Sequence, residues 1–226
     1  MKITYYGHSC FHFTLSGRDI IVDPFISANE LATDIDVDKI PADYILLTHG
    51  HADHILDAER IIERTGAMLI SSFEIVDWFE KKGYTGHGMN TGGKWEFDFG
   101  SIRAVVATHS SRLPDGSNGG NPLGYVISAQ EETFYIAGDT GLTMDMQLIP
   151  RICPPLDFAI LPIGGNYTME YTDVPLAAEF LNCNTVIGCH FDTFEVIKLD
   201  HEKVNKFFTE HGIHGHLMSV GETIEI

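Results

Sequence analysis

Tyr44-Ile45-Leu46-Leu47-Thr48-His49-Gly50-His51-Ala52-Asp53-His54 passes from an apolar run into three histidines and an aspartate within six residues. The apolar part reads as a buried strand. At the end of an extended segment residues i and i+2 point to one side, so His49 and His51 can share a metal ion. If the chain then turns, Asp53 and His54 swing toward an adjacent second site. Core packing has no use for such a concentration of coordinating side chains. Histidine is the commonest protein metal ligand, and the chain carries 12 of them against 14 Lys+Arg.

Four ligands do not fill two sites, so the others should stand at the ends of further strands. His109 follows Arg103-Ala104-Val105-Val106-Ala107-Thr108, Asp139 follows Phe134-Tyr135-Ile136-Ala137-Gly138, and His190 follows Thr185-Val186-Ile187-Gly188-Cys189. Each is the first strongly coordinating side chain after a buried strand, where loops carry function on a rigid scaffold. A carboxylate such as Asp139 can bridge two cations, whereas an imidazole nitrogen ordinarily binds one.

Outward from these segments the pattern alternates. Strands are expected at Lys2–Tyr6, Cys10–Leu15, Asp19–Asp23, Tyr44–Thr48 and Ala67–Ser71, with helices over Asp57–Thr65 and around Phe73–Lys82, ending near Gly66 and Gly83. A second strand-rich block follows: Lys94–Phe97, Ile102–Thr108, Gly124–Ser128, Thr133–Ala137, Asp157–Pro162 and Thr185–Gly188. Helices are expected at Val174–Leu181 and Asp200–His211, with Asp173 and Asp200 as N-caps. Two such blocks predict an α/β protein of two packed sheets covered by helices on their outer faces. With no linker or repeat, residues 1–226 read as one domain.

Of the 226 residues 44% are hydrophobic, which suits a globular core, and 14 Lys+Arg against 32 Asp+Glu give a net charge of −18. So few cations argue against nucleic-acid partners and anionic membrane surfaces. No apolar run reaches the ~20 residues of a membrane span, and the N-terminus enters a strand without a signal-peptide core. Cys10, Cys153, Cys183 and Cys189 show no paired spacing, which fits free thiols in a cytoplasmic protein.

HxHxDH, a lone His, a Gly-Asp and a late His together resemble the metallo-β-lactamase superfamily over nearly the whole chain. Gly7-His8-Ser9-Cys10-Phe11, Gly120-Asn121-Pro122-Leu123-Gly124 and the run Leu161 to Met169 narrow the resemblance. They are similar to a compact bacterial and archaeal family of metal-dependent hydrolases related to ascorbate-phosphate lactonase. The resemblance implies a four-layer αβ/βα sandwich of two mixed sheets with a dinuclear site at one edge. It implies that His49, His51 and His109 hold one metal, that Asp53, His54 and His190 hold the other, and that Asp139 bridges them. Diiron oxygen-reducing members carry Glu where His51 stands. RNA-processing and thiolester-cleaving members bring segments that this chain lacks, and antibiotic-degrading members are secreted and lack the Gly7-His8-Ser9-Cys10-Phe11 opening. A small intracellular hydrolase remains.

Two divalent ions would then hold a bridging hydroxide, Zn²⁺ first from the N/O ligand set, with Mn²⁺ or Fe²⁺ as alternatives. Asp53 would ligate one ion and orient the hydroxide. A lactone or ester of a small anionic metabolite is the first expectation for the substrate and a small phosphodiester the second. A catalytically idle metal-binding protein is the reading from another class, and self-association into a homo-oligomer stays open.

Around this set, His8 reads either as a polar turn residue or as a site-facing histidine that binds substrate or shuttles a proton. His12 reads as structural. Asp23, before Pro24, could accept a ligand histidine's second N–H or simply form a turn. Gly164-Gly165-Asn166-Tyr167 could bring backbone N–H groups of Gly165 and Asn166 to a ligand, or make a tight turn. Arg112, three residues after His109, could meet a substrate anion or be solvated. Ile75/Val76/Phe79 and Val204/Phe207/Phe208 read as core stripes, and Cys189 as a small buried hydrophobe.

Overall fold

A computed structural model describes residues 1–130 and 132–225. The first sheet is built from β1 (Lys2–Gly7), β2 (Cys10–Leu15), β3 (Arg18–Val22), β4 (Tyr44–Leu46), β5 (Met68–Ser72) and β6 (Gly86–Met89). The second runs through β7 (Lys94–Phe97), β8 (Gly100–Val106), β9 (Leu123–Ala129), β10 (Glu132–Ile136), β11 (Phe158–Pro162), β12 (Thr185–Cys189) and β13 (His214–His216). The last strand, β14 (Thr223–Glu225), returns to the first sheet beside β1. The orders are β14-β1-β2-β3-β4-β5-β6 and β13-β12-β11-β10-β9-β8-β7.

Both sheets are mixed in the same way. Pairings up to β3 and up to β10 are antiparallel, and those beyond are parallel. Parallel neighbours need crossover connections; the one from β3 to β4 is a long loop with a single 3-10 turn at Val37–Lys39, and helices run through the others. The four-residue turn α1 (Ala52–Ile55) and α2 (Ala58–Thr65) join β4 to β5, and α3 (Phe73–Glu80) joins β5 to β6. The short α4 (Ile149–Ile152) precedes β11, α5 (Val174–Leu181) links β11 to β12, and α6 (His201–Glu210) links β12 to β13. No helix among the described residues is long and apolar enough to cross a membrane.

Period-two patterning assigns each strand two faces. On β3, Ile20 and Val22 join the central core while Ile21 faces α2 and α3; Leu46 faces inward while Ile45 and Leu47 face those helices. Phe13 of the first sheet stacks on Phe134 of the second at 5.1 Å. Burying each such side chain contributes ~1.5–3 kcal/mol, and this shared core sets the two sheets face to face. The four-layer arrangement is the one expected from the sequence.

Two of the expected helix ends are found and one differs. Gly66 closes α2 in the left-handed conformation, and Asp200 caps α6 by accepting the Lys203 N–H at 3.1 Å. Asp173 does not cap α5 with its side chain. Its carboxylate accepts the Glu170 N–H instead, in a 3-10 turn that leads into the helix.

Candidate metal centre

The chemistry-bearing residues stand just beyond the carboxyl ends of strands from both sheets. His49 and His51 follow β4, His109 follows β8, Asp139 follows β10 and His190 follows β12. His8 follows β1 and Asp23 follows β3. His8, Asp23 and His190 all take left-handed backbone angles, with φ of 56, 44 and 56°. Non-glycine residues in that region are uncommon and concentrate at functional sites.

Hydrogen bonds tie the strand ends to one another. The Leu123 N–H donates to the Thr48 carbonyl at 2.9 Å, and the Thr108 N–H donates to Thr140 Oγ1 at 2.9 Å. His190 N–H donates to the His8 carbonyl at 2.7 Å. Gly138, at φ 62°, lets the second sheet approach the first, because a Cβ there would lie 2.8 Å from Thr48 Cβ.

The ligand atoms fall into overlapping groups in which all lie within 4.8 Å of one another. One group is His49, His51 and His109; another is His8, Asp53, His54 and His190; a third is His49, His54 and Asp139. Asp139 Oδ2 is 3.0 Å from His190 Nε2, 3.4 Å from His54 Nε2, 3.5 Å from His109 Nε2 and 3.9 Å from His49 Nε2. A single carboxylate oxygen therefore faces both histidine groups.

Asp23 orders the ring nitrogens behind this cluster. Its Oδ1 accepts the Thr48 N–H at 2.8 Å, and its Oδ2 accepts Thr48 Oγ1–H at 2.7 Å and His54 Nδ1–H at 2.9 Å. With its proton given to Asp23, Thr48 Oγ1 accepts from His49 Nδ1 at 3.0 Å. Both imidazoles thus present Nε2 lone pairs to the cluster, the arrangement expected of metal-binding histidines. His51 Nδ1 lies 2.9 Å from His49 Nε2.

These residues fit divalent cations on the structure's own terms. His54 Nε2, Asp139 Oδ1 and His190 Nδ1 are buried without a hydrogen-bond partner among the described residues. Unpartnered buried acceptors are costly, and nitrogen and oxygen donors converging in this way are the set that binds such ions. Burial lowers the pKa of His49, reinforced by nearby His54, and lowers His51 and His109 as well. At His54 burial is outweighed by Asp139 and Asp23, which raise its pKa. At Asp139 burial opposes ionisation, but His54 and His190 hold the carboxyl well below its usual range.

Asp53 and His8 form the flank of the cluster. His8 Nε2 lies 3.1 Å from Asp53 Oδ2 and Nδ1 lies 3.0 Å from Thr193 Oγ1. A carboxylate only accepts, so Nε2 carries the proton and Nδ1 accepts from the Thr193 hydroxyl. Although burial opposes it, the bond from His8 and the neighbouring His54 hold the Asp53 carboxyl well below its usual range. Burial lowers the His8 ring to about 4.

The cluster opens on a cavity of about 600 Å³ that His51, Asp53, His109, Asp139 and His190 share with Phe25, Ala52, Ser110, Tyr167 and Phe194. His8, fully buried, stands behind Asp53 and outside this lining. Arg112, Gly165 and Asn166 are not brought into the lining either. Arg112 pairs with Asn118 across its own loop, Gly165 is buried, and Asn166 is exposed beside Tyr167, which does reach the cavity. His12 pairs with Asp19 at 3.2 Å, and Cys189 is a buried free thiol.

Comparison with known proteins places this architecture. A family described as the beta-lactamase superfamily domain matches residues 2–190. The UPF0173 metal-dependent hydrolase of Christiangramia forsetii is 50% identical over 227 residues, covering 100% of both chains. The UPF0173 metal-dependent hydrolase YtkL of Bacillus subtilis is 41% identical over 231 residues, again covering 100% of both. Among solved structures, Igni18, a metallo hydrolase from the archaeon Ignicoccus hospitalis, superposes with a TM-score of 0.89 at 36% identity, covering 99% of this chain and 97% of that one.

Proposed function

The chain belongs to the metallo-β-lactamase superfamily, among its metal-dependent hydrolases, and we propose that it holds two divalent ions and hydrolyses a lactone or ester. The observation that carries the two-ion reading is Asp139 Oδ2, within 3.9 Å of ring nitrogens from both histidine groups. His49, His51 and His109 would hold one ion, Asp53, His54 and His190 the other, and Asp139 both. The nitrogen-rich donor set favours Zn²⁺, with Mn²⁺ or Fe²⁺ admitted by the same ligands.

When bound, the ions would polarise the substrate's carbonyl oxygen and bring a water's pKa toward ~7. The chain's own residues do the remaining work. Asp53, ionised and partly open to the cavity, orients the attacking water by accepting one of its hydrogens. His8 fixes the rotamer of Asp53 through Nε2–H, and Thr193 fixes the tautomer of His8. The water oxygen bonds to the acyl carbon, the acyl C–O bond breaks, and the alkoxide leaves with a proton relayed through Asp53 or solvent. His8 is thus a positioning residue.

A small phosphodiester is the second reading, favoured by the same paired arrangement, which also suits clamping attacking and leaving oxygens. The compartment proposed is the cytoplasm, consistent with four free cysteines. The charge of −18 supports a small-molecule partner over nucleic acid. The test is metal analysis of the purified protein coupled to a screen of lactones, esters, thioesters and phosphodiesters. Turnover strongest on lactones or esters is expected. No turnover with two ions bound per chain would leave a metal-binding protein without catalysis.

A further inference from the structure

We infer that the part of the substrate remote from the scissile bond is uncharged and apolar, and that Phe194 and Tyr167 select it. This rests on the hydrolase reading above and departs from the expectation of an anionic metabolite. Beyond the metal cluster, the walls of the 600 Å³ cavity are Phe25, Ala52, Ser110, Tyr167 and Phe194. Two of these aromatic rings stand in water, Tyr167 at 56% and Phe194 at 38% exposure. Large apolar side chains converging on one concavity mark a surface that a ligand covers.

The Phe194 wall is built to stay in place. The Phe194 ring packs edge-on against His8 at 5.4 Å and tilts against Phe25 at 6.4 Å. Its loop is pinned by Asp192, whose Oδ1 accepts the Leu199 N–H at 2.9 Å and whose Oδ2 lies 2.6 Å from His201 Nε2. The neighbouring turn is anchored by Asp57, which accepts the N–H groups of Ile26 and Ser27 at 2.7 and 2.9 Å. The aromatic surface next to the reacting centre is therefore preorganised.

Charge points the same way. Among the described residues, no Lys or Arg lines the cavity. Arg112 folds over its own loop, where a Cβ at Gly116 would lie 3.3 Å from its guanidinium. Lys198, near Phe194 in sequence, is paired with Glu195 at 2.5 Å. Ions held by His49, His51, His109, Asp53, His54, His190 and Asp139 would offset one negative charge at the scissile group. A second anionic group further along the substrate would lie against aromatic walls without a counter-ion, which is unfavourable. An alkyl or aryl group there buries apolar surface instead.

The test uses the metal-loaded protein and two esters with one leaving group and matched acyl length, 4-nitrophenyl butyrate and 4-nitrophenyl hemisuccinate. The expected kcat/KM is at least about tenfold higher for the butyrate, the factor that burying a few methylene-sized units supplies. Phe194→Ala and Tyr167→Ala should each bring that ratio toward one; Phe194→Leu, which keeps an apolar wall, should retain most of it. A ratio at or below one, or a ratio indifferent to both alanine variants, would overturn the inference.

Binding separates this from the reaction itself. Calorimetry with the non-hydrolysable ethers 4-nitrophenyl butyl ether and 4-(4-nitrophenoxy)butanoate should show the uncharged ether bound about tenfold more tightly, again through Phe194. That preference without turnover of either ester would end the hydrolase reading and leave the pocket inference standing. Ester turnover with equal or tighter binding of the carboxylate would do the reverse. Binding of neither ether would also overturn the inference.

Discussion

Asp23 Oδ2 lies 2.9 Å from His54 Nδ1, and the same carboxylate reaches His49 through the Thr48 hydroxyl. One buried residue at the end of β3 thus sets the tautomers of two histidines that belong to different parts of the metal cluster. Asp23→Asn nearly preserves shape but places an amide where three donors converge. Metal affinity should fall ~10–100-fold, the usual cost of removing such a partner. Competition with a calibrated chelator measures it, and unchanged affinity would show that Asp23 only holds the turn before Pro24.

Asp139 and His8 should fail differently. Asp139→Asn removes the charge shared between the two groups, so metal and activity should be lost together. His8→Ala leaves all seven proposed ligands intact. Metal content should stay near two ions per chain while turnover falls ~10–100-fold as Asp53 loses its fixed rotamer. His8→Gln, whose amide N–H can still reach Asp53, should recover part of that loss. Full activity in His8→Ala would reduce the residue to a turn filler.

Most of the cluster is legible in the sequence because of where coordinating side chains can stand. His49, His51, Asp53 and His54 crowd one strand end, and His109, Asp139 and His190 each close an apolar run. The edges of the sheets are harder to read. Gly86-His87-Gly88-Met89 and His214-Gly215-His216 are short and glycine-rich, so neither shows alternating apolar residues, yet both pair as strands. The cavity wall is harder still. Phe25, Tyr167 and Phe194 come from three distant loops, and no local pattern announces that they converge. Arg112 shows the converse, since nearness in sequence to His109 does not bring it into the cavity.

Gly164, read from the sequence as part of a ligand-binding loop or a tight turn, carries a close approach instead. A Cβ there would run into the carbonyl of His190 and lie 3.0 Å from Ile197 Cβ. Gly164→Ala should therefore push His190 away from Asp139. The expected result is a loss of ~1–3 kcal/mol of stability, as for other overpacked sites, together with weaker binding of one ion. Thermal unfolding and metal titration measure both, and a variant with normal values for each would contradict the placement of His190.

Acidification should destabilise the metal-free protein. Burial lowers His8 to about 4 and also lowers His49 and His12. Once unfolded these rings protonate near ~6.5, so between about pH 6.5 and 4 the unfolded chain binds protons that the folded chain refuses. Their contribution is full above that window and is lost as pH falls through it. His54, with its pKa raised, acts in the opposite sense: its contribution is full below ~6.5 and fades as pH rises. Below about pH 6.5 the contribution of His54 is already full and only the lowered rings act, so the unfolding midpoint of metal-free protein should fall between about pH 6.5 and 4. A level or rising midpoint would contradict the assignment.

The most direct test is anomalous scattering from a crystal of the zinc-loaded protein. Two peaks are expected about 3.5–4 Å apart, the spacing of two-metal hydrolytic sites. One should lie among His49, His51 and His109, the other among Asp53, His54 and His190, with Asp139 touching both. A single peak, or peaks away from Asp139, would contradict the account.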